Sequence, residues 1–413
     1  MTSLTIDIDR LQGEIDTLAT YSDSPAPSVT RVLFTPTELR AREYLRGLMR
    51  EAGLTLREDA VGNIFGLWEG SDPDLPPVAT GSHTDAIPLS GKYDGVVGVL
   101  GAIEAVRALR RAGFTPKRGI EVIMFTAEEP TRFKIGCLGS RALAGKLTPD
   151  HLRALTDADG IGFEDARQQA GYAGDLSDVE LMIGHYDSFV ELHIEQGSRL
   201  EAAGLPLGIV TAIAAPATVR VEFFGQGGHA GTVLMPDRRD ALPAAAELIL
   251  SVEKIAHSST SPDAVATVGL CRIAPGAVNS IPNHVYLEVD IRDIDLASRN
   301  RMVEMVLQVA KAISDKRNVG YEAQVLNADN PCTSGREVVQ AATEAIEGLG
   351  YRYQTMVSRA YHDTLFMAEV CPTAMIFVPS QHGYSHRPDE YTAPEDIGRG
   401  VEVLAHTLLR LTR

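Results

Sequence analysis

Residues 81–98, GSHTDAIPLSGKYDGVVG, constrain this chain more than any other stretch. A short apolar lead-in, Pro77-Val78-Ala79-Thr80, reads as the end of a buried strand. Downstream, Val96, Val99, Leu100, Ile103, Val106 and Leu109 recur at helical spacing. The pattern therefore predicts strand, loop, helix. His83 and Asp85 fall at the strand's carboxyl end, and Asp94 at the helix's amino end. In an open α/β sheet that edge is where ligands bind. A neutral imidazole and a carboxylate converging there are donors suited to a divalent metal. Asp85 follows His83 by two positions, so in extended chain both point the same way. It is placed to accept the second ring N–H of His83, the usual outer arrangement around a ligating imidazole. A polar turn would draw on the same residue types, and H-x-D alone does not choose between the two.

A chain of 413 residues exceeds one ordinary core, which predicts two domains. The formal net charge of -17 argues against nucleic acid or an anionic membrane as partner, since both need a basic face. The four cysteines, Cys137, Cys271, Cys332 and Cys371, are scattered and form no C-x-x-C. That spacing fits a reducing cytosol better than a disulfide framework. The amino-terminal residues MTSLTIDIDRLQGEIDTLATYSD are interspersed with acids and do not read as a signal peptide. No run approaches the ~18–20 apolar residues of a membrane span. A cytoplasmic protein is the expectation.

Helices are predicted over 6–21 and 37–52, the second ended by Gly53. Residues 54–58 and 62–68 alternate like paired strands. Residues 121–125, EVIMF, read as a buried strand followed at once by Thr126-Ala127-Glu128-Glu129-Pro130. Residues 144–188 read as polar and helical. Another strand, 189–194, ends in His193-Ile194-Glu195-Gln196-Gly197. Strands alternating with helices in this way imply a parallel or mostly parallel sheet. Near Ala214 the character changes. Strands at 218–224, 265–272, 285–291 and 321–326, with helices at 240–256 and 296–314, give the order βαββαβ, the ferredoxin-like pattern. After Pro331 come a helix (335–349), an apolar strand (373–378), a loop (379–395) and a final helix. The expected architecture is α/β: a mixed-sheet α/β/α catalytic domain formed by 1–213 and 328–413, with residues 214–327 inserted into it.

His83, Asp94, Glu129, His193 and His386 share one placement, just after a predicted strand or at a helix start. Imidazoles and carboxylates in this number can hold two metal ions with one carboxylate bridging. Glu128 beside Glu129 strengthens the reading. Adjacent carboxylates repel unless a cation is near, and one can ligate while the other moves protons.

The segments GSHTDAIPLSGKYDGVVG, FTAEEPTRF, ELHIEQGSRLE, GQGGHAGTVLMPDRRDA, VNSIPNHVYLEVDIR and YHDTLF…FVPSQHGYSHRPDEY follow one another along nearly the whole chain. In this order they resemble the hydantoinase/carbamoylase branch of the aminoacylase–carboxypeptidase metallopeptidase superfamily. The resemblance implies a metallopeptidase-like fold whose insert serves as lid and dimerisation domain. It implies that His83 and His193 hold one metal, that Glu129 and His386 hold the other, and that Asp94 bridges them with a cis peptide just after it. Glu128 resembles the general base that deprotonates the bridging water. His229 resembles the residue that stabilises the oxyanion, reaching in from the partner subunit of a homodimer. Asn279 and Arg292 resemble the substrate-binding pair, Arg292 gripping a carboxylate bidentately. Gln196 lies where the family contacts substrate, and His362 is either near the substrate or part of a packed pair with Asp363. Asp85 joins the catalytic group as the partner of His83.

The chain departs from the family pattern at two points. SRAYHDT carries Tyr361 where a glycine is common, which puts a large amphipathic side chain close to the substrate. IPN stands where IPG is usual, a turn variation that Asn tolerates. The resemblance implies a binuclear amidohydrolase, using Mn²⁺ or Zn²⁺ with Co²⁺ or Ni²⁺ as other fits, that cleaves a ureido or linear amide C–N bond on a small carboxylate. Tyr361 and GYSHRPDEY look most like the ureidoglycolate amidohydrolases, which makes (S)-ureidoglycolate the expected substrate. N-carbamoyl-L-amino acids and allantoate follow. The rival readings are an aminopeptidase or dipeptidase, against which His193 weighs, and a non-catalytic small-acid binder, against which Glu128 and the full ligand set weigh.

Overall fold

The computed structural model describes residues 4–413. They form two compact units, one made of the chain up to Thr211 together with Thr333–Arg413, the other of Ala212–Cys332.

The larger unit is built on a nine-stranded mixed sheet. Its centre is parallel, with Thr373–Val378, Ser188–Ile194, Val78–His83 and Ile120–Phe125 side by side in that order. Ile64–Trp68 and Thr55–Glu58 continue it antiparallel on one side, and Leu207–Ile213 on the other. The central strands are buried on both faces, which is why they read as continuous apolar runs. Alternate residues serve different layers. Val122 and Met124 join one core, under helices Ile8–Ala19, Pro36–Glu51, Val96–Arg111, Arg336–Leu349 and Pro394–Leu411. Ile123 and Phe125 join the other, under Leu138–Leu143, Pro149–Ala154, Phe163–Gln169 and Asp363–Met367. The result is the α/β/α layering expected from the sequence.

Helix Val96–Arg111 is buried without a break from Val96 to Leu109. It lies so close to the sheet that a Cβ on Gly98 would meet the Leu192 carbonyl oxygen at 2.5 Å and Ser82 Cβ at 2.5 Å. This closeness fixes the helix's first turn, and with it Asp94, over the ends of the parallel strands.

In the smaller unit the chain runs Ala215–Phe224, helix Ala241–His257, Val265–Ala274, His284–Asp293, helix Leu296–Arg317, Gly320–Ala328. The strands form a four-stranded sheet in the order second, third, first, fourth, every neighbour antiparallel. Ala217, Val219, Val221 and Phe223 point into a core shared with both helices, while the residues between them are partly exposed.

Some elements escape the sequence patterns. Val29–Arg31 pairs with Ala86–Ser90, strands too short to show a period. Residues 144–188 hold only the short helices Pro149–Ala154 and Phe163–Gln169 and a single helical turn. Leu207–Ile213 follows a Gly-Leu-Pro turn and carries no alternation. Among the described residues no helix is long and apolar enough to cross a membrane.

The packing under Gly98 is testable against a second helical glycine, Gly47, where an added Cβ would meet nothing within 4 Å. Gly47→Ala should stabilise the fold by up to about 1 kcal/mol, the helix-propensity gain. Gly98→Ala should reverse that sign and cost roughly 1–3 kcal/mol, the usual range for overpacking. Urea unfolding of the two variants reads both effects, and equal stabilisation would show that the helix has room to move.

Candidate active site

The carboxyl ends of the four parallel strands carry the site. His83 is the last residue of its strand, Glu128 and Glu129 follow Phe125, His193 is the penultimate residue of its strand, and His386 lies on the loop after Val378. Asp94 enters from the loop before helix Val96–Arg111. Between them, Gly95 at φ +66 turns the chain, and a Cβ there would meet His83 Nε2 at 2.4 Å. Only glycine fits both demands.

Asp94 is the common member of two donor groups. His83, Asp94 and His193 bring one ligand atom each within 4.8 Å of one another, and so do Asp94, Glu129 and His386. Asp94 Oδ1 stands 3.2 Å from His193 Nε2 and 3.9 Å from His83 Nε2. Asp94 Oδ2 stands 3.1 Å from His386 Nε2, which is itself 3.2 Å from Glu129 Oε1. Metal–ligand bonds of about 2.1 Å spread tetrahedrally put donor atoms about 3.4 Å apart, so these spacings suit ligands to shared ions. Asp94 Oδ1 is also buried without a hydrogen-bond donor, a costly arrangement unless a cation serves it.

The surrounding groups fix these donors. His83 Nδ1 lies 3.2 Å from the Asp85 carbonyl and 3.4 Å from Asp85 Oδ1. The same carboxylate accepts the backbone N–H groups of Glu128 (3.2 Å) and Glu129 (3.0 Å). Asp85 thus orients an imidazole and holds the neighbouring acid turn at once. His193 Nδ1 is 2.9 Å from the Ile194 carbonyl, leaving Nε2 toward Asp94. Glu128 Oε2 is 3.7 Å from His83 Nε2, and Glu128 Oε1 accepts the Cys137 thiol at 3.4 Å. Gln196 donates from Nε2 to Asp94 Oδ2 at 2.8 Å, while its Oε1 is buried and unpartnered.

Charge is concentrated here. Burial drives the Glu128 carboxyl well above its usual range, and Glu129, Asp363 and Asp94 add to this against the pull of His83. Burial also raises Glu129. Burial opposes ionisation of Asp94 too, but His193 and His386 hold it well below the ordinary value. The imidazoles respond in kind. Hydrogen bonds to Asp94 and Glu129 push His386 up to about 11, and Glu128, Asp85 and Asp94 outweigh the burial of His83 and raise it well above normal. Protons are held where positive charge is wanted.

The remaining expected residues are placed differently. His362 is buried beside His193, with ring centroids 4.6 Å apart and Nε2 2.8 Å from Ser358 Oγ. Burial and His193 keep it well below the usual imidazole range. Its neighbour Asp363 accepts Ser140 Oγ at 2.6 Å. Tyr361 is partly buried, its ring stacked on Phe366 at 6.2 Å and its hydroxyl 3.3 Å from an Arg141 nitrogen. His229, Asn279 and Arg292 belong to the smaller unit. His229 sits on the two-residue strand Gly228–His229 opposite Ser280, and the Ala230 N–H bonds the Asn279 carbonyl at 2.9 Å, so these two are neighbours on one ribbon. Both are exposed. Arg292 forks onto Asp290, at 2.8 and 3.1 Å.

Residues 79–410 match the profile of Peptidase family M20/M25/M40. The chain belongs to this family. Among its M20 relatives is the ureidoglycolate hydrolase of Arabidopsis thaliana, 54% identical over 99% of this chain and 88% of that one. Another is the N-carbamoyl-L-amino acid amidohydrolase of Geobacillus stearothermophilus, 40% identical over 98% of each. Solved structures of AtUAH in complex with glyoxylate and with (S)-hydroxyglycine are 54% identical over 99% of each chain, with a TM-score of 0.90. An amidase of the hydantoinase/carbamoylase family from Burkholderia multivorans is 34% identical over 99% of this chain and 98% of that one, again at 0.90. The resemblance read from the motifs, to the hydantoinase/carbamoylase branch, therefore holds for the whole chain.

One expectation for this M20 site fails. The cis peptides among the described residues are Ala26–Pro27 and Ala274–Pro275, and the bond after Asp94 is not among them. The left-handed Gly95 makes the turn instead. Several site residues went unread in the sequence. Glu390 accepts the N–H groups of Tyr93 (2.9 Å) and Asp94 (3.1 Å), and Ser385 Oγ stands 3.1 Å from Asp94 Oδ2. Burial, with Asp94 beside it, raises Glu390 to about 7. Its only signal was an acid in the motif GYSHRPDEY, four positions after His386. Glu191 groups with His193 and His362, but Ser82 and Thr364 saturate both its oxygens.

With a pKa near 11, His386 carries a proton at neutral pH in metal-free protein, and a metal must displace it. Calorimetric titration of Mn²⁺ or Zn²⁺ in buffers of different ionisation enthalpy should therefore show net proton release. Apparent affinity should rise with pH across the neutral range. A heat of binding that ignores the buffer would remove His386 from the metal group.

Proposed function

We propose that this chain is a metal-dependent amidohydrolase that cleaves the ureido C–N bond of (S)-ureidoglycolate. The observation that carries the reaction class is the sharing of Asp94 between two donor groups with the buried Glu128 alongside. His83, Asp94 and His193 would hold one divalent ion, and Asp94, Glu129 and His386 a second. The mixed imidazole and carboxylate donors suit Mn²⁺ or Zn²⁺, with Co²⁺ and Ni²⁺ as further fits. Such ions, when bound, polarise the substrate carbonyl and make water a better nucleophile.

Glu128 takes the proton of the attacking water and delivers it to the leaving nitrogen. Burial raises the Glu128 carboxyl, which favours its holding the proton between the two transfers. Gln196, anchored on Asp94 by its Nε2, offers its unpartnered Oε1 to a ureido N–H. Arg292 and Asn279 take the substrate carboxylate, and His229 steadies the oxyanion. Hydrolysis at the terminal ureido nitrogen releases ammonia and a carbamate. Loss of carbon dioxide from the carbamate leaves hydroxyglycine, which parts into glyoxylate and a second ammonia. Glyoxylate and (S)-hydroxyglycine are the compounds held in the AtUAH structures.

Two features favour this substrate over N-carbamoyl amino acids. The chain is more like the ureidoglycolate hydrolase than the carbamoylase. Tyr361, stacked on Phe366 and held at its hydroxyl by Arg141, presents a rigid wall with a polar tip, which suits a compact hydroxylated acid better than a long side chain.

The protein is proposed to act as a homodimer with His229 contributed to the partner's site. Support comes from the smaller unit, where Val265–Ala274 is an edge strand with Val265 and Ile273 exposed, and the adjacent helix exposes Ile249 and Leu250. The scattered spacing of the four cysteines, with no C-x-x-C among them, supports a cytoplasmic location.

Glu128→Gln should retain metal and substrate binding yet turn over at least ~10²-fold more slowly. Mixed with His229→Ala in verified heterodimers, it should regain activity, because one composite site is then intact. Loss of metal would make Glu128 a ligand, and silent heterodimers would place His229 in its own subunit's site or outside any site.

For the substrate, kcat/KM is compared for (S)-ureidoglycolate, N-carbamoyl-L-amino acids and allantoate. Wild type should prefer the first, and Tyr361→Gly should lose that preference by about 10-fold or more, the discrimination of a site that bonds a substrate hydroxyl. A wild-type preference for a bulky N-carbamoyl amino acid would overturn the substrate while leaving the reaction class.

A further inference from the structure

We infer that Glu390 is a positioning residue that clasps the loop bearing Asp94 to the loop bearing His386, and so sets the distance between those two donors. The inference rests on the metal reading of the two donor groups and concerns residues that do not touch the ions.

The two loops are far apart in sequence. His386 is at φ +59 on the segment that follows Val378, and its side chain is 45% exposed, so packing does not hold it. Glu390, by contrast, is buried and spans the gap. Its Oε1 accepts two consecutive backbone N–H groups, Tyr93 at 2.9 Å and Asp94 at 3.1 Å. Its Oε2 accepts Ser385 Oγ at 3.0 Å, one residue before His386. One carboxylate thus grips the backbone of Asp94 and the side chain next to His386.

The fit is close on the receiving side. A Cβ on Gly91 would meet Glu390 Cβ at 2.4 Å and Oε1 at 2.5 Å, so the space over Gly91 belongs to this side chain. The loops also meet through Tyr93 and Tyr391, edge to face at 6.0 Å, which brackets the clasp with an apolar contact. Ser385 extends the link, since its hydroxyl lies between Glu390 Oε2 (3.0 Å) and Asp94 Oδ2 (3.1 Å) and receives the Gln196 amide at 3.3 Å. Outer partners of this kind set the orientation of ligands, and removing one typically weakens metal affinity 10–100-fold.

The consequence is selective. Glu390 joins Asp94 to His386, so its loss acts first on the group Asp94, Glu129 and His386. The group His83, Asp94 and His193 keeps two imidazoles fixed by Asp85 and the Ile194 carbonyl.

The test is Co²⁺ binding to metal-free protein, read by visible absorption against a competing chelator, with activity not needed. Wild type should take up two ions. Glu390→Ala should weaken the ion of the Asp94, Glu129 and His386 group roughly 10–100-fold and the other far less. Glu390→Gln, which keeps a carbonyl oxygen on the two backbone N–H groups, should recover most of that loss. Circular dichroism and melting of the metal-free variants separate misfolding from lost positioning. Should Glu390→Ala not fold, Glu390→Asp, one methylene too short to reach both loops, carries the same expectation. Equal affinities in wild type and the folded variant would overturn the clasp alone. Wild type that binds no metal would instead overturn the functional reading beneath it.

Discussion

Asp94 is a buried carboxylate faced by the imidazoles of His83, His193 and His386, and an anion in that position must be compensated. Here the compensation comes from three strand ends at once, so the donor set exists only when the parallel order of the sheet is right. The helix Val96–Arg111 brings Asp94 over the strands because Gly98 allows close packing, and Gly95 allows the turn that lets Asp94 clear His83. Asp85 then ties the His83 strand to the Glu128–Glu129 turn through two backbone N–H groups. Packing, turn geometry and charge are therefore one constraint. A shift of the helix by an ångström would separate the carboxylate from the imidazoles that keep it ionised.

This dependence explains what the sequence revealed. His83 and His193 close apolar runs, Glu129 follows one, and His386 lies on the loop after another, and in a parallel sheet such positions share one edge. The central strands were readable because burial on both faces makes them continuously apolar. Glu390 was not readable by the same means. Its partners lie about three hundred residues away, at Tyr93 and Asp94, and no periodicity encodes a contact of that range. Cys137 reaches Glu128 only because its backbone is hydrogen-bonded to the 126–128 turn, again a tertiary fact. His362 could be narrowed only to two roles, and its burial against His193 and Phe377 gives it a packing environment that spacing did not foretell.

The smaller unit shows the opposite limit. His229 and Asn279 look like ordinary turn residues by composition, and their exposure by itself is what any turn residue shows. What sets them apart is that the ribbon formed by Gly228–His229 and Ser280–Ile281 makes them neighbours across about fifty positions of sequence. Arg292 is held in plane by Asp290, which keeps its fork oriented but also gives it an anion already in hand. In the proposed role, a substrate carboxylate would have to compete for that guanidinium. The proposed recognition by Arg292 would depend on offering better bidentate geometry than a partly exposed neighbour two residues away on the same strand.

The overall charge sharpens that point. A net charge of -17 repels an anionic substrate at long range, yet the proposed substrate is a carboxylate. At physiological salt the screening length is about 8 Å, so most of this charge is not felt beyond the surface. Attraction must then come from cations within a few ångströms of the bound molecule. In the proposed site, Arg292 would be one such group and divalent ions on the Asp94 groups the others. The buried acids Asp85, Asp94, Glu128 and Glu129 would otherwise make the strand-end edge repulsive to any carboxylate. The donor set around Asp94 and the proposed anionic substrate thus call for the same thing, positive charge lodged among these residues.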